Sequence, residues 1–208
     1  MGKVDDNKKK KQTTLLQTAF DLFTSKGINK TSISDIASQA GVAKGTFYLY
    51  FTDKYDIRDK LIAHKSSELF QRAYQALTLS DITDFEDKVI FLVDHIMDEL
   101  SENKVLLSFI SKNLTWRIFK RALLSQTPHD NEITFIEIYH EKILGAKEEH
   151  FRDPEIMLFL IIELVGSTCK SAILYEDPTN LDEIKPHLYA AIRMIIQSYR
   201  NSSAMRQK

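Results

Sequence analysis

Turn-forming residues are scarce in this chain, and that scarcity constrains the fold more than any other feature. Its 208 residues hold six glycines and four prolines. A chain so poor in turn residues folds into long uninterrupted elements, so sandwiches and barrels with many short strands are improbable. Apolar residues recur at the helical period nearly throughout, and no stretch of strict two-residue alternation stands out. With 43% apolar and 27% charged residues, the composition is that of a folded globular protein. The expected fold class is all-α: three short helices, then a larger helical bundle.

Local signals place the elements. Residues 1–11 are lysine-rich and read as a flexible basic tail. Leu15, Ala19, Leu22 and Phe23 define an amphipathic helix that Gly27 ends. Ser32-x-x-Asp35 reads as a capping box opening a second helix, and Gly41 stops it. A third helix follows over about 44–50, and a long fourth one over about 53–77. Five more follow: about 85–100, 105–125 with a break near Asn113, 131–144, 155–175, and one beginning between Asp182 and Lys185 that runs to Tyr199. Pro186 is tolerable there only in the first turn. Residues 198–207 are polar enough to fray.

Charge is distributed unevenly. Residues 1–60 carry 11 Lys+Arg against 7 Asp+Glu, whereas the remainder carries 17 against 22. A basic first quarter suggests that one end meets a polyanion. The single Cys169 cannot close an intramolecular disulfide, no secretory signal is visible, and the longest apolar run, 156–162, is too short to span a bilayer. The expected location is the cytoplasm, with no membrane association. No Ser-His-Asp, Cys-His or paired-carboxylate arrangement can be placed, so the reading is not an enzyme, and no cofactor is implied. Glu137 with His140 and Glu141, and His95 with Asp94 and Asp98, have metal-ligand spacing but read better as solvated polar faces.

The informative segment is SISDIASQAGVAKGTFYLYF, residues 32–51. A small residue inside the first helix (Ala37), glycine at the turn (Gly41), and apolar Val42 and Phe47 after it are what a helix–turn–helix needs. The wider string AFDLFTSKGINKTSISDIASQAGVAKGTFYLYFTDKYDIRDKL resembles the N-terminal domain of TetR/AcrR-family transcriptional repressors. The shared pattern is an A-x-x-L-F-x-x-x-G helix end, I-A-x-x-A-G-V-x-x-G-T, an apolar residue, Y-x-Y-F, and a lysine soon after. Residues 15–61 carry the likeness, about a quarter of the chain.

The resemblance implies a helix–turn–helix domain over 1–52 and a helical ligand-binding and dimerisation domain over 53–208. By position, it implies that Lys44, Gly45, Thr46 and Tyr48 lie on a recognition helix in the major groove. Ser34 is a further base contact, Tyr50 a phosphate contact, and Lys54 binds phosphate at the start of the fourth helix. Phe47 and Phe51 are expected in the core. Ala43 stands where the family often has Ser or Thr, which removes a side-chain cap. Leu49 stands where polar residues are common; it could touch a thymine methyl or pack on the linker.

In the second domain the resemblance implies a cavity for a partly apolar small-molecule effector. The candidate lining is Phe91, Phe109, Trp116, Arg117, Tyr139 and Phe159. It further implies a homodimer through the last two helices, about 155–176 and 182–199. There Ile184, Leu188, Ala191, Ile192, Ile195 and Tyr199 form a broad stripe, and Gly166, Ser167 and Ala172 allow close approach. The function implied is a ligand-responsive regulator, most readily a repressor, that binds a palindromic operator in double-stranded DNA. A helical adaptor or small-molecule-binding protein without operator binding is the other reading. Lys8–Lys11 could follow DNA or serve as a solubilising tail.

Overall fold

The computed structural model describes residues 3–116, 118–119 and 151–200. The expected helix 131–144, the pair Glu137–His140, and the candidates Arg117 and Tyr139 lie outside them. Among the described residues every regular element is a helix. These are α1 (Lys3–Ser25), α2 (Ile33–Gln39), α3 (Lys44–Tyr48), α4 (Lys54–Thr78), α5 (Phe85–Glu102), α6 (Lys104–Asn113), α7 (Pro154–Leu174) and α8 (Leu181–Tyr199). One isolated antiparallel bridge joins Phe151 to Arg200. The chain forms two compact units, Met1–Lys65 and Ser66–Lys208. Their division falls within α4 rather than in the turn before it.

The N-terminal unit is built as its sequence suggests. Gly27 and Gly41 both adopt positive φ, 83° and 68°, which a side chain would strain, and each ends a helix. The Ser32 hydroxyl accepts from the Asp35 amide at 3.1 Å, and the Asp35 carboxylate accepts from the Ser32 amide at 2.9 Å. The Ser32 amide, and after it the Ser32 side chain, hold the Asp35 carboxyl below its ordinary 3.8. A depressed folded-state value means that the cap stabilises above pH 3.8 and is lost as pH falls through the lower folded value. Asp35→Asn should therefore raise the pH of acid unfolding of this unit, measured by circular dichroism.

Two features of the helices differ from the sequence reading. Residues 3–11 are not a flexible tail but the first turns of α1. After Gly2 the segment has no helix breaker, and lysine is a good helix former, so nothing stops α1 from extending toward the N-terminus. Pro186 is not in the first turn of α8. The Asn180 side chain caps the Glu183 amide at 3.0 Å, which starts the helix at Leu181 and puts Pro186 in its second turn.

The C-terminal unit packs α7 against α8, α6 and α5, and α5 against α6 and α8. Asp84, Asn103 and Asn180 cap α5, α6 and α8 through their side chains. The core comprises Leu92, Val93, Met97, Leu106, Leu107, Phe109, Ile110, Met157, Ile161, Ile173, Leu188, Ile192 and Ile196. The apolar stripe of α8 therefore divides: Leu188 and Ile192 turn inward with Ile196, whereas Ile184, Ala191 and Ile195 remain half-buried. By length and composition α7 is apolar enough to cross a membrane, with the short run 156–162 only part of it. Glu163 and Lys170 interrupt the run without making the helix polar.

Polar clamps join α5 to α8. The Lys185 ammonium lies 2.7 Å from the Asp94 carboxylate and also bonds Asp98, while the Tyr189 hydroxyl donates to Asp94. Burial works against both charges, but this pairing outweighs it, so Asp94 is held below its usual range and Lys185 above. At the other end Glu86, nearly buried, takes Arg200 at 2.8 Å and Arg193 at 3.4 Å, with Gln197 donating at 3.2 Å. Arg193 also bonds Asp87 at 2.5 Å. His95 stacks on Phe91, while the carboxylates beside it are held by α8.

Candidate nucleic-acid interface and effector cavity

The helix α3 is only five residues long and has no side-chain cap at Ala43, as the sequence suggested. Its own hydrogen bonds cannot hold so short a helix. It is held instead by Phe47, which is wholly buried and packs on Phe51 with ring centroids 5.4 Å apart. Ala37 is buried on α2, where the two helices meet. Burying Phe47 turns the rest of the helix outward. Ser34, Lys44 and Gly45 are exposed, Thr46 and Tyr50 half-buried, and Tyr48 is 51% exposed. Leu49 is 77% exposed, which excludes packing on the linker. A Cβ at Gly45 would meet nothing within 4 Å, so the open backbone there faces free space.

Lys54 occupies a different environment from an open phosphate site. Its ammonium donates to the carbonyls of Ile28, Thr31 and Asn29 at 3.1, 3.3 and 3.4 Å. It thereby ties the start of α4 to the loop between α1 and α2, where the buried Thr31 hydroxyl also bonds the Gly27 carbonyl at 2.9 Å. Lys54→Ala should cost about 1.5–3 kcal/mol in the N-terminal unit, the range for hydrogen bonds to a charged group. A thermal melt checks this.

Sequence reasoning missed a second clamp. Lys60 donates to the Tyr50 carbonyl at 3.0 Å and pairs with Asp56 at 3.1 Å, and Asp56 accepts from the Thr52 amide at 2.9 Å. The signal was the i,i+4 spacing of Asp56 and Lys60. Together they fix the turn that leaves α3.

In the C-terminal unit a cavity of about 430 Å³ opens among α4, α5, α6 and α7. Most of its described wall is aliphatic: Leu69, Val89, Leu92, Ile96, Leu107, Ile110, Ile161 and Val165. Ser66, Ser67, Ser111, Thr115, Glu163, Ser167 and Lys170 supply polar groups. Of the aromatic candidates, Trp116 lines the cavity and Phe159 meets it edge-on at 5.3 Å. Phe109 is buried in the core, and neither it, Phe91 nor Phe159 is part of the wall. Cys169 also borders the cavity, and burial pushes its thiol up to about 12. It should therefore stay unalkylated by iodoacetamide at neutral pH until the unit unfolds, followed by mass spectrometry.

A short, uncapped helix with an outward polar face, seated on a second helix across a glycine turn, is a helix–turn–helix DNA-binding module. The profile of bacterial regulatory proteins, tetR family, matches residues 15–61. The uncharacterised HTH-type transcriptional regulator YvdT of Bacillus subtilis is 40% identical over 68 residues, 31% of this chain and 35% of that protein. The match thus spans about a third of the curated relative's length. A TetR-family transcriptional regulator from Haemophilus influenzae superposes with TM-score 0.57 at 18% identity, covering 94% of this chain and 99% of that one. The transcriptional regulator FadR from Bacillus subtilis, solved in complex with stearoyl-CoA, gives TM-score 0.55 at 18% identity over 88% and 97%. Residues 15–61 are thus a TetR-family DNA-binding domain, and the whole chain has the fold of solved TetR-family regulators.

Proposed function

We propose that this chain is a ligand-responsive repressor that binds a palindromic operator as a homodimer and leaves it when a small effector enters the C-terminal cavity. The carrying observation is the orientation of α3: Phe47 is wholly buried, so Lys44, Gly45, Thr46 and Tyr48 face outward. Lys44 donates to guanine or phosphate, Thr46 offers a hydroxyl and a methyl, and Gly45 lets the backbone approach a base edge. Ser34 adds a contact from α2, the Tyr48 and Tyr50 hydroxyls reach phosphate, and Leu49 meets a thymine methyl. Lys54 acts chiefly by positioning α4. The working location is the cytoplasm, where the operator is.

The dimer forms through α7 and α8. Ile156 and Leu160 on α7 and Met194 on α8 are large, apolar and exposed, whereas Gly166 and Ser167 border the cavity. Ala172 is buried within its own unit and does not contribute. The effector is an amphiphile with an apolar chain, a reading that the aliphatic wall supports, with Lys170, Glu163 and the hydroxyls as its polar part. The complex of the Bacillus subtilis FadR with stearoyl-CoA supports this class. Ser66, Ser67, Leu69 and Phe70 of α4 border the cavity, and Lys54 begins the same helix. An effector that binds one position of α4 more tightly than another shifts the population between them.

Selection of random duplex DNA by the purified protein tests this reading. Recovery of a palindrome bound by two chains, and its release by stearoyl-CoA or a free long-chain fatty acid, is the expected result. Weak binding without sequence preference, even after refolding to strip any ligand, would favour a helical adaptor. On the selected operator Lys44→Ala and Thr46→Ala should each relax preference at one position, by about 1–3 kcal/mol. Tyr48→Phe should weaken binding evenly across sequences.

A further inference from the structure

Four consecutive lysines, Lys8 to Lys11, are carried on α1. Residues 3–14 extend α1 by about 18 Å before Leu15, the first buried side chain among those described. Lys8, Lys10 and Lys11 are exposed, Lys9 is half-buried, and none has an ion-pair partner among the described residues. The register is informative. Leu15, Ala19 and Leu22 are the buried stripe of α1. Counting back along that stripe by four and seven residues gives Lys11 and Lys8. The face that packs on the domain further along thus continues past the domain's edge as two ammonium groups. Apolar side chains would be expected there if protein covered the overhang; a polyanion requires cations.

We infer that this overhang is a helical basic arm that contacts the phosphate backbone of duplex DNA beside the operator half-site, without reading bases. Charge complementarity names the occupant, and the arm belongs to the same compact unit as the outward face of α3. A helix is too wide for the minor groove that an extended tail could enter, so the contacts are to phosphates. The inference rests on the operator-binding reading but goes beyond it, since the recognition helix alone would suffice for a specific complex.

Salt dependence tests it. Each phosphate contact steepens the slope of log affinity against log salt by about 0.9. The four-fold variant Lys8→Gln, Lys9→Gln, Lys10→Gln, Lys11→Gln should flatten that slope by about 2 or more, equally on the selected operator and on a 30-base-pair duplex of random sequence. The corresponding four-fold Lys→Arg variant should restore it. Base preference should be unchanged, and circular dichroism should show the helix intact in both variants. An unchanged slope in the glutamine variant overturns the arm while leaving operator binding in place. A change of base preference would overturn the phosphate assignment. If the unaltered protein bound no duplex at all, the operator reading itself would fall, and the arm with it.

Discussion

Replacing Phe47 with alanine should abolish DNA binding although its side chain is buried away from the outward face of α3. The ring is wholly inaccessible and packs against Phe51 and edge-on against Tyr48. Truncating such a ring costs about 3–5 kcal/mol through lost burial and the cavity left behind. A five-residue helix without a cap has no reserve to absorb that loss. The expected outcome is a lower melting temperature for the N-terminal unit and operator affinity reduced to the non-specific level. Phe47→Leu, which keeps most of the volume, should cost about 1 kcal/mol and preserve binding. Full operator affinity in Phe47→Ala would show that α3 is held by something other than this ring.

The second large effect lies at Glu86, and its sign depends on which partner is removed. Glu86 is nearly buried, whereas Arg193 and Arg200 are each 39% exposed at the side chain. Arg193→Ala with Arg200→Ala leaves a buried carboxylate with Gln197 as its remaining described partner, and should cost about 3–5 kcal/mol. Glu86→Gln leaves two guanidinium groups that water can reach, so its cost should be near 1 kcal/mol. Urea unfolding followed by the fluorescence of Trp116, the chain's one tryptophan, separates the two. Equal costs would mean that Glu86 is hydrated in solution and that the clamp between α5 and α8 contributes little.

Much of the N-terminal unit was legible because its signals are local. Gly27, Gly41 and the Ser32–Asp35 box act within four residues of chain, and each produces the cap or turn that its chemistry dictates. Two departures share one cause, which is that polarity does not fix geometry. Lys8–Lys11 are charged, yet charge does not stop a helix. Pro186 does not set the start of α8; the Asn180 side chain sets it.

The cavity was legible only in part. Periodicity shows which side chains turn inward but not which of them border a space and which fill it. Phe109 fills; Trp116 borders; and the aliphatic wall of Leu69, Val89 and Ile96 carries no mark that separates it from ordinary core. Lys54 shows the same limit at the other unit. Its sequence position resembles a phosphate contact, while the carbonyls of Ile28, Asn29 and Thr31 that accept its hydrogen bonds lie more than twenty residues away.

In α3 the residues that keep the helix in place and the residues that face outward are separate sets. Phe47 anchors it, with Phe51 just beyond, whereas Lys44, Gly45, Thr46 and Tyr48 lie outside that buried pair, with the Tyr48 ring edge-on to Phe47. Mutation can therefore rewrite the outward set without endangering the fold. A lineage built on this unit is free to drift from one operator to another through folded intermediates, and an engineer can follow the same route by randomising those four positions and leaving the two phenylalanines alone.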